Sequence, residues 1–140
     1  MKATSLYRIA SVFFILFAAG HTVGFLRLKP PSPEAGVVFD GMNNVHFQVR
    51  GSSFSYGGFY RGFGLTITVY LLFSAFLAWH LGTLASGNPQ AIGLLGWVFM
   101  AVQVASVVLS WKYFSAAPAM LSAIVAVCLG WAAWLDAGKG

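Results

Sequence analysis

Acidic side chains are scarce in this chain: three aspartates and glutamates stand against eight lysines and arginines in 140 residues. We read none of the three, Glu34, Asp40 and Asp136, as lying inside an apolar run, and place Asp136 with Lys139 in a short polar tail. Proton-transfer chemistry within a bilayer needs ionisable carriers at depth. The shortage therefore argues against a proton-coupled transporter, a pump or an isomerase built on a membrane-embedded acid. Cysteine is scarcer still. Cys128 alone permits neither an internal disulfide nor a Cys-x-x-Cys redox pair, and its apolar surroundings suit a small buried hydrophobe.

Histidines number three, too few and too scattered for a metal centre. His21 closes one apolar run and His80 closes the next, so the two belong at different depths and cannot share an iron. No metal site and no cofactor are expected. The basic residues are spread over both ends and one loop, which suits interfacial anchors better than a phosphate-binding stripe. A nucleic-acid partner is not expected.

What the chain has in abundance is apolar surface: 59% hydrophobic and 16% aromatic residues, only 8% charged, and a mean hydropathy of +0.78. That composition lies outside the soluble range and marks an integral membrane protein. Runs of about 20 apolar residues, rising 1.5 Å each, match a hydrocarbon core of roughly 30 Å. We expect an all-α fold, a membrane four-helix bundle with a structured loop between helices 1 and 2. The spans are placed at residues 7–26, 60–84, 91–111 and 119–135, with a long loop at 27–59. Lys2 and Arg8 around the run from Ile9 to Ala19 also have the outline of a secretory signal, but we read this run as a retained first span. The segment RLKPPSP, residues 27–33, stops that span, because its prolines cannot continue a helical ladder. Gln103, the strongly polar residue of the third span, is expected to bond across helices.

An island of polar chemistry interrupts this apolar chain at residues 39–64, FDGMNNVHFQVRGSSFSYGGFYRGFG. A loop of this length is usually functional or disordered, and its aromatic content speaks against disorder. Residues 44–52 alternate polar and apolar, as an amphipathic strand would, while Met42, Val45 and Val49 also fit an interfacial helix. Candidate ligand-binding residues under this loop are His21, His46, Arg50, Tyr56, Tyr60 and Arg61, with Arg50 and Arg61 suited to clamp a carboxylate or phosphate. Pairing with Glu34, Asp40 or loop carbonyls is the structural alternative for the two arginines. Gly20 and Gly24, and Gly58 and Gly62, have the four-residue spacing that lets helix backbones approach closely.

The segments GHTVG at 20–24, GMNNVHF at 41–47 and SYGGFYRGFG at 55–64 together resemble a family of small bacterial four-span membrane proteins with no assigned activity. The likeness covers roughly the first 80 residues and implies the fold and a bacterial origin, and it transfers no catalytic residue. Size, span number and a long first loop are also similar to small trimeric membrane enzymes of glutathione and eicosanoid metabolism. Residues 44–50, NVHFQVR, lack the acids of that loop pattern.

Two functions remain. The residues favour a non-catalytic protein of the bacterial inner membrane, an accessory or structural subunit of a larger complex or a self-associating one, in contact with membrane lipids. The alternative is a binding protein or small enzyme for a bound lipid, quinone or similar lipophile. Four spans place both termini on the same side. Lysine and arginine counts lean toward a cytoplasmic first loop, with Arg27, Lys29, Arg50, Arg61 and Lys112 on the loop side.

Overall fold

The computed structural model describes residues 1–138. The chain is 81% helical, and four of its five helices are long and apolar enough to cross a membrane. In chain order the elements are α1 (Ala3–Leu26), α2 (Pro33–Asn44), β1 (His46–Val49), β2 (Ser52–Ser55), α3 (Tyr56–Gly87), α4 (Leu95–Tyr113) and α5 (Ala116–Ala137). Lys139, assigned above to a polar tail, lies outside the described residues.

Helix ends depart from the apolar runs for identifiable reasons. The 32 residues of α3 would rise roughly 48 Å, well beyond a hydrocarbon core of ~30 Å. Its first turn is made of the aromatic and glycine residues Tyr56–Tyr60, where the Ser55 hydroxyl accepts from the Gly58 N–H at 3.0 Å, as an N-cap does. Between α3 and α4 a single 3-10 turn, Pro89–Ala91, replaces the start of the third span. Gly93, at φ +47°, then holds the chain in the left-handed region before α4 begins. Pro118 stands inside the first turn of α5, where a missing N–H breaks no ladder bond.

The chain divides into two compact units, Met1–Phe17 with the chain from Leu71 onward, and Ala18–Tyr70. The first unit carries a packed core of Leu6, Tyr7, Phe14, Leu81, Val125 and Leu129, all under 2% exposed. Small residues let the helices close on one another there. Gly96 leaves no room for a methyl: a Cβ at that position would sit 2.8 Å from the Tyr7 hydroxyl and 3.1 Å from the Ala133 Cβ. Phe14 stacks on Phe99 with ring centroids 5.5 Å apart, and the Ser11 hydroxyl donates to the Ala75 carbonyl at 2.7 Å.

Asp136 corrects the reading of a polar tail. The buried stripe of α5, Ser122, Val125, Ala126, Leu129, Ala132 and Ala133, continues at the same spacing to Asp136, which is only 8% exposed. Its carboxylate interacts with the Tyr7 side chain, from α5 to α1 within this unit. One acid therefore lies in the last turn of a helix long and apolar enough to cross a membrane. Gln103 is also buried.

The second unit holds the loop chemistry, and of the two readings of residues 44–52 the strand is the one found: β1 covers His46–Val49, while the helix before it ends at Asn44 and so does not carry Val45 or Val49. Helix α2 forms because Ser32 caps it, its hydroxyl accepting from the Ala35 N–H at 3.2 Å, and Pro33 stands in the first turn. The antiparallel hairpin β1–β2 then pairs His46 with Ser55, Phe47 with Phe54, Gln48 with Ser53 and Val49 with Ser52. Arg50 and Gly51 form its two-residue turn with φ +50° and +83°, the positive pair that a type I′ hairpin needs.

Candidate functional site

Within the second unit, the end of α1, helix α2 and the first turns of α3 border a surface-open cavity of about 380 Å³, none of whose lining residues is buried. Phe25, Leu26 and Leu28 come from the α1 end, Phe39, Met42 and Asn43 from α2, and Gly57, Tyr60 and Arg61 from α3. The lining is apolar except for an amide, a phenol and a guanidinium. No carboxylate lines it, and Arg61 makes no ion pair among the described residues.

Two glycines make the walls fit. Gly64 lies under the Phe25 ring, which occupies the space that a Cβ there would fill. Gly57 does the same for Asn43, whose side-chain amide lies over the first turn of α3. Phe25 is further fixed by a stack of rings, 5.7 Å from His21 on one side and 5.4 Å from Tyr60 on the other. His21 is itself held, because its Nε2–H donates to the Gly64 carbonyl at 3.0 Å. One turn along, the Thr22 hydroxyl donates to the Ala18 carbonyl at 2.7 Å and accepts from Thr68 at 2.8 Å. These bonds join α1 to α3 directly behind the cavity wall.

The candidate residues thus separate into three groups. Tyr60 and Arg61 line the cavity, and His21 stands behind Phe25 as a support. His46, Arg50 and Tyr56 are elsewhere. His46 is exposed, with its Nδ1–H donating to the Asn44 carbonyl at 2.9 Å. Arg50 occupies the hairpin turn, and Tyr56 packs on Phe47 with centroids 5.0 Å apart in an aromatic cluster that includes Phe54, Phe59 and Phe63. Neither arginine pairs with Glu34 or Asp40 among the described residues.

The glycine pairs also depart from expectation. Nothing lies within 4 Å of a Cβ placed at Gly20, Gly24 or Gly62, and Gly58 meets only the Ser55 hydroxyl. Close packing falls instead to Gly64, Gly82, Gly96 and Gly130. The cavity residues missed in the sequence are Phe25, Leu26, Leu28, Phe39, Met42, Asn43 and Gly57. A signal for part of the set was present: Phe39, Met42 and Asn43 have the three- and four-residue spacing of one helix face, behind a Ser-Pro start.

Among the described residues no group of three or more histidine, cysteine, aspartate or glutamate side chains could hold a metal ion. Comparison with family models, curated proteins and solved structures found no match.

Proposed function

We propose that this is an integral membrane protein that binds a small lipophile in the cavity of its second unit. What supports the reading is that cavity itself, whose wall is about half apolar and half polar, with Arg61, Tyr60 and Asn43 among its liners. Ligand sites combine greasy walls for affinity with a few polar groups for orientation. At about 380 Å³ the cavity lies toward the small end of ligand sites, which run from about 300 to 1,000 Å³. The protein is assigned to the bacterial inner membrane, with both termini on one side of it.

A second reading, an accessory subunit of a larger membrane complex, draws support from Gly20, Gly24 and Gly62, whose open backbone no other part of this chain covers among the described residues. Native mass spectrometry of the gently extracted protein separates the two. Lipophile binding predicts a stoichiometric small adduct that Tyr60→Ala removes. A large assembly with no such adduct supports the accessory role, and a free protein carrying only bulk lipid sinks the first reading.

A further inference from the structure

We propose that the cavity selects an anionic head, a carboxylate or phosphate monoester, and that Arg61 is the residue that selects it. This rests on the lipophile-binding reading above and adds the charge of the ligand. Three observations carry it. Among the described residues Arg61 is the one charged residue lining the cavity, and no acid lines it to neutralise the guanidinium. Asn43, the second polar group, offers an amide N–H₂ donor, and Tyr60 offers a hydroxyl, so the polar wall can present donors from two elements, α2 and α3. The remaining liners, Phe25, Leu26, Leu28, Phe39 and Met42, are apolar, which gives the bound molecule a greasy end to match.

A guanidinium presents its N–H groups as a planar fork that fits two oxygens of one head at once. A neutral alcohol can use only one arm of that fork. An organic cation would stand against a positive charge that no lining acid among the described residues offsets. Gly57 has a positioning role in the same arrangement, because Asn43 lies where any Cβ at residue 57 would be. A methyl there displaces the amide from the wall without altering the charge.

The test is equilibrium binding of radiolabelled decanoate to the full chain in phosphatidylcholine nanodiscs at neutral pH, with empty nanodiscs correcting for partition. Decyl phosphate, decanol and decyltrimethylammonium serve as competitors. Saturable decanoate binding is expected, with decyl phosphate competing comparably and the neutral and cationic probes at least about tenfold weaker. Arg61→Gln should weaken decanoate about ten- to a hundredfold, the loss of a hydrogen bond to a charged group, and leave decanol unchanged. Arg61→Lys, which keeps the charge and loses the fork, should fall between, and Gly57→Ala should weaken decanoate without changing the preference for anions over the cation.

Equal competition by decanol in the unmodified protein overturns the selection of an anion while lipophile binding stands, and it needs no variant that might fold poorly. Unchanged decanoate affinity in a folded Arg61→Gln protein does the same. No saturable binding of any probe overturns both. Replacing part of the phosphatidylcholine with phosphatidic acid, whose head is a phosphate monoester, distinguishes the source of the anion. Competition by the added lipid assigns a lipid head group as the resident ligand, and persistence of decanoate binding assigns a free amphiphile; each result supports the anionic site.

Discussion

The two units of this chain are held together by different means. In the first, helices close on Leu6, Tyr7, Phe14, Leu81, Val125 and Leu129 with glycines at the tightest approaches. In the second, α2 has no buried residue, and Ala18 is the one apolar side chain counted as buried among those described. Its order comes from caps, a hairpin turn, hydrogen bonds between side chains and backbone, and rings packed edge to face or stacked. The cavity that Arg61 lines belongs to the unit in which α2 has no buried residue.

Matched substitutions put that contrast at risk, beginning with glycine. Gly96→Ala drives a methyl against the Tyr7 hydroxyl, the far end of a rigid ring that is 0% exposed and cannot swing away. The cost should fall in the upper part of the ~1–3 kcal/mol typical of overpacking. Gly24→Ala meets nothing within 4 Å and should be neutral or stabilising by up to about 1 kcal/mol through helix propensity. Reversible unfolding in detergent measures both, and equal losses would erase the distinction between a covered glycine and an open one. Truncation comes next. Leu129→Ala should cost about 2 kcal/mol, the low end of the range for buried leucines, because the lipid that receives an unfolding helix is as apolar as leucine. Val37→Ala, at a position 73% exposed on α2, should stay within about 0.5 kcal/mol.

Much of the spanning architecture was legible because apolar run length is a strong, local signal. Leu26 ends α1 shortly before the prolines, and each of the four runs lies wholly or largely within one helix. Alternation in residues 46–49 foreshadowed β1, and Gly51 its turn. Asp136 was misplaced because an acid followed by Ala-Gly-Lys looks like a tail, whereas the signal that mattered was the spacing of small residues continuing through it. The cavity was harder for a physical reason: its walls come from three elements separated along the chain, and their convergence depends on Gly57 and Gly64 accepting Asn43 and Phe25. Single-residue chemistry singled out Arg61 and Tyr60, but it equally singled out His46 and Arg50, which are outside the cavity.

The smallest expected effect tests whether the second unit depends on local caps. Glu34 stands in the first turn of α2, and its carboxyl is held below the usual carboxylate range, first by the Ser32 hydroxyl and then by a backbone N–H. A carboxylate bonded this way is more acidic in the folded helix than in the open chain, so its stabilisation is present above the open-chain value of about 4.3 and is lost as pH falls through the lower, folded value. Amide exchange in α2, expressed as protection relative to intrinsic rates, should therefore decline below roughly pH 4.3. Glu34→Gln, which cannot ionise, should remove that decline and start from slightly lower protection at neutral pH. Protection in α5 should not follow, since its order comes from the buried stripe that ends at Asp136. An unchanged acid-side decline in Glu34→Gln would move the cause away from this cap, and a parallel decline in α5 would mean that the two units do not respond separately.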